Sequence, residues 1–167
     1  MCIRDRVRGV NENKDGNLDY DRVVDTSSFF AIWYFDVLAV NDARLSRAAK
    51  VVNKLLHVAG DIGGYIRYEN DSYYQLHDSP NPWIVTTLWM TQYQIKKATK
   101  PADLEAPLNT LKWAHSQARN SMFAEQISPQ TGEHLSTSPL VWSHAEFVIT
   151  INSYLQKLIS FQLTGKR

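Results

Sequence analysis

Cysteine is almost absent from the sequence, which contains a single one, Cys2, among its 167 residues. A disulfide framework and a zinc site built from paired cysteines are therefore excluded for this stretch of chain. The five histidines show neither a spacing of four residues nor another pattern typical of metal ligands. We therefore expect no metal and no cofactor.

An excess of charge of one sign is also missing, since 18 Lys and Arg side chains face 17 Asp and Glu, for a net charge of +1. With no basic block, the chain offers no electrostatic reason to bind nucleic acid or a membrane surface. The most apolar stretch, residues 29–40, is too short for a membrane span and contains Asp36. We therefore expect neither nucleic acid nor a membrane as a partner.

The N-terminal hexamer, residues 1–6, lacks the apolar core of a signal peptide and leads into no periodic pattern. We interpret it as a foreign leader, and residues 1–21 as a non-native or disordered lead-in. No compartment is predicted on this basis.

Residues 11–22 resemble a calcium loop at its first, third, fifth and sixth positions. The twelfth position is Arg22, where a calcium loop needs a bidentate Glu. We therefore interpret the segment as a solvated turn at Asp15 and Gly16.

Five helices of two alternating kinds are predicted in the rest of the chain. Segments 29–40, 82–97 and 140–161 are apolar on most sides, as buried helices are, and Ser27 or Ser28 is expected to cap the first of them. Segments 43–59 and 102–119 are amphipathic, as helices at a surface are. The order is therefore inner, outer, inner, outer, inner. Antiparallel helical hairpins of this kind, stacked side by side, make an α/α solenoid or toroid.

This alternation brings the two long connections, residues 60–82 and 119–140, to the same end of the molecule. Both join an outer helix to an inner one, whereas the short connections, 41–42 and 98–101, lie at the other end. Loops longer than about 12–15 residues in a compact domain usually carry function. The two long connections are also rich in aromatic residues.

The second long connection holds Glu125, and Trp142 follows it at the start of an apolar helix. A carboxylate can activate water or protonate a leaving oxygen, and an indole face can pack on a sugar ring. The first connection adds Arg67 and Asp71 as hydrogen-bonding groups for hydroxyls, and it adds aromatic platforms at Tyr68, Tyr73, Tyr74 and Trp83. Each of these is more often a surface or packing residue, but gathered at one end they predict a carbohydrate site.

Four motifs in this order resemble the C-terminal half of the glucoamylase-type catalytic domain, glycoside hydrolase family 15. They are Arg-Tyr-Glu-Asn-Asp-Ser-Tyr-Tyr at 67–74, Asn-Pro-Trp at 81–83, Ala-Glu-Gln at 124–126 and Trp-Ser-His-Ala at 142–145. The resemblance implies an all-α fold in which residues 22–161 form about five of the twelve helices of an (α/α)6 barrel. Residues 162–167 would then be a C-terminal tail.

The resemblance also implies roles for individual residues. Glu125 matches the general base, and the substrate-binding positions are matched by Arg67, Tyr68, Asp71, Tyr74, Trp83 and Trp142. The interval between Tyr74 and Asn81 is longer than the fungal pattern and is more similar to bacterial or archaeal members. Nothing in the sequence matches the family's general acid, which lies on an earlier part of the barrel.

The leading hypothesis is a fragment of an inverting, exo-acting α-glucosidase that releases β-glucose from oligosaccharides or polysaccharides. The fragment alone is expected to be inactive, because it carries the base without the acid. A trehalase or glucodextranase of the same family is an alternative. A non-catalytic helical toroid that acts as a regulatory or sugar-binding subunit is another, and an unrelated α-solenoid interaction domain comes last.

Overall fold

The computed structural model describes residues 8–76 and 78–164. The hexamer 1–6 and the last three residues of the predicted tail, 165–167, lie outside the described residues. Helices dominate the described part, and the prediction of a mainly helical barrel piece is confirmed. The five α-helices are α1 Thr26–Tyr34, α2 Ala43–Leu56, α3 Ile84–Lys97, α4 Glu105–Ser116 and α5 Val141–Thr164.

Helix α3 is the central element of the packing, with 11 of its 14 residues buried. It packs between α1 and α5, while α2 packs against α1 and α4 packs against both α3 and α5. The odd-numbered helices therefore form the inner row and the even-numbered ones the outer row, as the alternation of apolar patterns predicted. Fully buried Leu45 belongs to an apolar cluster of α1, α2 and α3, and fully buried Leu88 belongs to a second cluster of α3, α4 and α5. Burying each such side chain contributes about 1.5–3 kcal/mol.

Helix α1 differs from the predicted segment 29–40 at both ends. Its N-cap is Asp25, whose side chain accepts a hydrogen bond from the Ser27 N–H at 2.7 Å. The expectation of a cap at Ser27 or Ser28 was therefore wrong. The helix ends at Tyr34, because Asp36 adopts a φ of 52° that an α-helix cannot include.

The outer helices are also shorter than predicted. Helix α2 ends at Leu56 rather than at residue 59, because the chain turns and pairs with the following loop. There the Val58 N–H donates to the Gly64 carbonyl and the Ile66 N–H donates to the Leu56 carbonyl, both at 2.9 Å. The segment 102–119 divides into a 3-10 turn, Pro101–Leu104, and helix α4.

A β-hairpin that no pattern in the sequence indicated precedes α1. Its strands, β1 Gly9–Glu12 and β2 Leu18–Asp21, pair in antiparallel register within the segment interpreted as a lead-in. The predicted turn lies between them, where the Asn13 side chain accepts the N–H groups of Asp15 and Asn17, each at 3.0 Å. Neighbouring carboxylates form no group of three or more potential metal ligands anywhere in the described ranges.

The two long connections meet at one end of the inner helices. The Ile127 N–H donates to the Pro82 carbonyl at 3.0 Å, and the Asn81 side chain donates to the Gln126 side-chain oxygen at 2.8 Å. The second connection also contains a short antiparallel pair, β3 Gln126–Ile127 and β4 His134–Leu135. None of the helices in the described part combines the length and apolar character needed to cross a membrane.

Candidate active site

A concavity of about 320 Å³ lies where the two long connections meet the first turns of α3 and α5. Its walls carry one carboxylate, Glu125, and one guanidinium, Arg67. Four of the other seven lining residues are aromatic, namely Tyr73, Trp83, Trp89 and Trp142. A single acid, a single cation and several flat apolar faces form a combination suited to a hydroxyl-rich ring.

The backbone of Glu125 is fixed on both sides. Its N–H donates to the Thr137 carbonyl at 2.8 Å, and its carbonyl accepts the Ile84 N–H at 3.2 Å. The carboxylate is partly buried, and its Oε2 accepts a short hydrogen bond from the Ser136 hydroxyl. Within residues 8–76 and 78–164, no donor bonds the other oxygen, Oε1. One carboxylate oxygen is therefore anchored and the other is left for a ligand.

Arg67 is held by a bidentate ion pair with Asp71. Its Nε and Nη2 donate to the two carboxylate oxygens of Asp71 at 3.1 and 2.9 Å, and Asp71 is only 2% exposed. The guanidinium carbon also lies 4.4 Å from the ring centroid of Trp83 and 4.6 Å from that of Tyr68. A planar fork that is paired and stacked in this way keeps one orientation.

The charge on Arg67 is stabilised by the same pairing. Partial burial by itself lowers the pKa of this guanidinium, but the hydrogen bonds and the charge of Asp71 outweigh it and raise the pKa above its ordinary value. Asp71 also accepts the Tyr73 N–H at 3.1 Å, which ties the loop to the ion pair. Asp71 therefore holds the guanidinium of Arg67 in place and does not itself line the concavity.

Three tryptophans form the apolar part of the site. Trp83 and Trp89 are 5% and 6% exposed, whereas Trp142, in the first turn of α5, is 49% exposed. The rings of Trp89 and Trp142 meet edge to face, with centroids 5.5 Å apart. The backbone N–H of Trp83 donates to the Tyr65 carbonyl at 2.9 Å. Two of the indoles are thus fixed by packing, and the third projects at the mouth of the concavity.

The residues that the resemblance implied as ligands divide into two groups. Four of them line the concavity together, namely Arg67, Trp83, Glu125 and Trp142. The remaining three lie outside its lining. Tyr68 and Asp71 contact the guanidinium of Arg67. Tyr74 is 55% exposed and packs against Tyr73, with centroids 5.0 Å apart.

Two residues of the site were missed as functional candidates. Trp89 belongs to the lining and shares a helical face of α3 with Val85 and Thr86, so helical periodicity could have indicated it. Ser136 bonds the Glu125 carboxylate from 11 residues away. No local signal in the sequence indicates such a contact, because the loop geometry alone creates it.

The fold matches that of a bacterial glucoamylase solved in complex with acarbose, with a TM-score of 0.72 and 23% sequence identity. The match covers 89% of this chain and 23% of that one. The fold is part of the glucoamylase-type (α/α)6 barrel. Structures of a glycosidase and of a glycosidase variant in complex with glucose match this barrel piece with TM-scores of 0.62 each, at 22% and 20% identity. These two matches cover 79% of this chain and 36% of the others.

In sequence, the chain is 31% identical over 140 residues to an uncharacterised glycosyl hydrolase of Methanocaldococcus jannaschii. That alignment covers 78% of this chain and 22% of the archaeal protein, so the chain spans about a fifth of the length of this curated relative. No protein-family model matches the sequence. The relative and the barrel fold together support a relationship to the glycoside hydrolases.

Proposed function

We propose that this chain is the base-bearing part of an inverting, exo-acting α-glucosidase of glycoside hydrolase family 15, of the glucoamylase type. The observation that carries the proposal is the position of Glu125. Its carboxylate lines a concavity with a fixed cation, Arg67, and with the exposed indole of Trp142. Acarbose and glucose in the solved glycosidases of the same fold agree with a sugar ligand for this concavity.

In the proposed reaction Glu125 acts as the general base. Its carboxylate takes a proton from a water molecule while the water oxygen attacks the anomeric carbon on the face opposite the leaving group. The hydrogen bond from Ser136 to Oε2 holds the carboxylate still, so that Oε1 can receive the proton. Positioned general bases contribute about 10²–10⁴-fold to the rate of such reactions.

A carboxylic acid from a part of the protein outside this chain completes the proposed pair. It protonates the glycosidic oxygen as the bond to the anomeric carbon breaks. In inverting enzymes the two carboxyl groups stand about 6.5–9.5 Å apart, which leaves room for the water. Glu125 is the one carboxylate among the described residues that line the concavity, which agrees with an acid supplied from elsewhere.

Substrate binding in this proposal relies on Arg67 and the aromatic surfaces. The guanidinium has five N–H donors, and those not engaged by Asp71 and Tyr68 can bond sugar hydroxyls. The faces of Trp83 and Trp142 offer packing surface for a pyranose ring. A volume of about 320 Å³ is at the small end for ligand sites, which suits one terminal glucosyl unit.

The experiment that tests this function is product analysis on the full-length protein. Maltose is hydrolysed while proton NMR follows the anomeric signals in the first minutes, before mutarotation mixes them. The proposal expects β-glucose to appear first from the α-linked substrate. Early α-glucose would overturn the inverting assignment, and hydrolysis of trehalose in preference to maltose would favour the trehalase alternative.

A further inference from the structure

Glu146 is a buried carboxylate that the proposed reaction does not use. It lies on α5 one turn after Trp142 and is 8% exposed. Its Oε1 accepts the Trp142 Nε1–H at 3.1 Å, and its Oε2 accepts a hydrogen bond from the Gln92 side-chain amide at 2.7 Å. The same amide of Gln92, on α3, donates to the Thr150 hydroxyl at 2.9 Å. Four side chains from two inner helices are thus linked by hydrogen bonds, and Trp142 is the member that lines the concavity.

A buried carboxylate at position 146 lowers the stability of the fold unless other interactions compensate for it. Burial of a charged group destabilises a fold unless hydrogen bonds or an opposite charge compensate it. In the described part of the chain Glu146 takes part in no ion pair, so neutral donors supply the compensation. An apolar residue would fill the α3–α5 interface at lower cost. Packing of the two helices therefore does not account for Glu146.

The bonding pattern requires acceptors at both oxygens. A carboxylate offers two acceptor oxygens, whereas the side-chain amide of Gln offers one acceptor and one donor. With Gln92 donating on one side and Trp142 donating on the other, a carboxylate matches both neighbours at once. The Glu146 carboxylate therefore links Gln92 to Trp142, and Trp142 is the exposed partner.

Trp142 depends on this bond for its orientation. Its ring is half exposed, and its ring contact is the edge-to-face meeting with Trp89. An aromatic side chain has two rotatable angles, and a single edge contact does not restrict both of them. The hydrogen bond from Nε1 to Glu146 fixes the polar edge of the indole, so the two contacts together define the plane of the ring.

We propose that Glu146 is a positioning residue that sets the orientation of Trp142 at the mouth of the site, and that Gln92 on α3 holds Glu146 in place. The importance of this orientation for a sugar rests on the proposed function, in which Trp142 packs on the glucosyl ring. The orientation itself does not depend on that function. Side chains of α3 and α5 therefore set the geometry of the binding surface together.

The circular dichroism of the Trp89–Trp142 pair tests the proposal without any sugar. Two indoles at this distance give an exciton signal in the far ultraviolet, and the loss caused by Trp142→Phe in the whole chain defines its size. Glu146→Leu should remove most of that signal, because leucine offers the Trp142 Nε1–H no acceptor. Glu105→Leu, at an exposed position in the first turn of α4, is the matched control and should leave the signal intact.

A double variant, Glu146→Gln with Gln92→Glu, reverses donor and acceptor across the α3–α5 interface. The amide at 146 then accepts from Trp142 and donates to the carboxylate at 92. The Thr150 hydroxyl, which donates to the backbone carbonyl of residue 146 in the parent, turns to donate to that carboxylate instead. We expect this swap to fold and to keep the exciton signal of the parent, because an acceptor for Trp142 remains at position 146, even if Glu146→Leu fails to fold. An unchanged signal in Glu146→Leu, or a swap that does not fold or lacks the signal, would overturn the proposal.

Kinetics of the full-length protein on maltose separate the positioning role from the proposed function. Glu146→Leu should raise KM several-fold with a smaller change in kcat, and the swap should keep KM near the parent value. If the exciton signal follows this pattern but KM does not, the positioning role stands. In that case the assignment of Trp142 as a sugar platform fails.

Discussion

The backbone N–H of Ile84 donates to the carbonyl of Glu125 at 3.2 Å, so the first residue of α3 is bonded directly to the candidate base. Since α3 is the most buried helix of the inner row, the backbone of Glu125 is bonded to the most buried helix of the fold. Glu125 is therefore a loop residue in the sequence, but its backbone is bonded directly to a core helix. Because the backbone at Glu125 is held in this way, we expect a substitution of its side chain to change the chemistry of the site without changing the fold.

Glu125→Gln in the full-length protein should lower kcat by about 10²–10⁴-fold and leave KM little changed, since it removes the base and keeps the shape. Steady-state kinetics on maltose provide the measurement. Glu133→Gln is the control, because Glu133 lies in the same loop, is exposed and does not line the concavity. A Glu125→Gln variant with parental kcat would show that another group activates the water.

Arg67→Lys should reduce kcat/KM on maltose by about tenfold or more. Lysine cannot form the two-point pair with Asp71 or stack on Trp83, and a hydrogen bond from a charged group contributes about 1.5–3 kcal/mol. The matched control is Arg44→Lys, which breaks a similar Arg–Asp fork, with Asp42, on the exposed end of α2. Equal losses in the two variants would contradict a role for Arg67 in binding.

Asp25→Ala should lower the free energy of unfolding by about 0.5–2 kcal/mol, because it removes the N-cap of α1. Chemical denaturation followed by circular dichroism measures the change. Ser28→Ala tests the cap position that the sequence pattern had favoured, and it should have a smaller effect. A larger loss at Ser28 than at Asp25 would restore the original interpretation of this helix start.

The chain by itself should show no glucosidase activity on maltose or soluble starch, because hydrolysis of an unactivated acetal needs acid and base together. It should also self-associate. Apolar side chains of α5 that are about half exposed lie along one face of that helix, namely Val148, Leu155 and Ile159. Exposed apolar patches beyond a few hundred Å² mark association surfaces. Size-exclusion chromatography beside the activity assay checks both points, and a monodisperse, active monomer would contradict them.

The helix order could be predicted from the sequence because burial on one face or on all faces leaves a periodic apolar pattern. Helix ends could not, since contacts with residues outside the helix set them. Helix α1 ends where Asp36 takes a left-handed conformation, and this residue is paired with Lys96 of α3 at 2.6 Å. Helix α2 ends where residues 56–58 pair with the loop that begins the site. Lys96 is 60 residues from Asp36, and the partners of residues 56–58 lie in a loop without a helical period, so the apolar pattern indicates neither helix end.

The candidate site was predicted through motifs, and its supporting contacts were not. Glu125 and Arg67 stand in recognisable local patterns, so their residue types and spacing point to them directly. Ser136 and Gln92 act through hydrogen bonds to residues 11 and 54 positions away. Such contacts exist only once the helices are packed.

The pairing of β3 with β4 has a consequence for engineering this end of the molecule. Backbone hydrogen bonds close the loop on the side of Glu125, from Glu125 to Thr137 and from Ser128 to Glu133, each at 2.8 Å. The tip beyond them, Gln130 and Thr131, is exposed. A short flexible insertion between these two residues lengthens the loop at its tip, beyond the β3–β4 pair, and not on the side of Glu125. A tag or fluorescent label can therefore be attached there while the carboxylate stays in register.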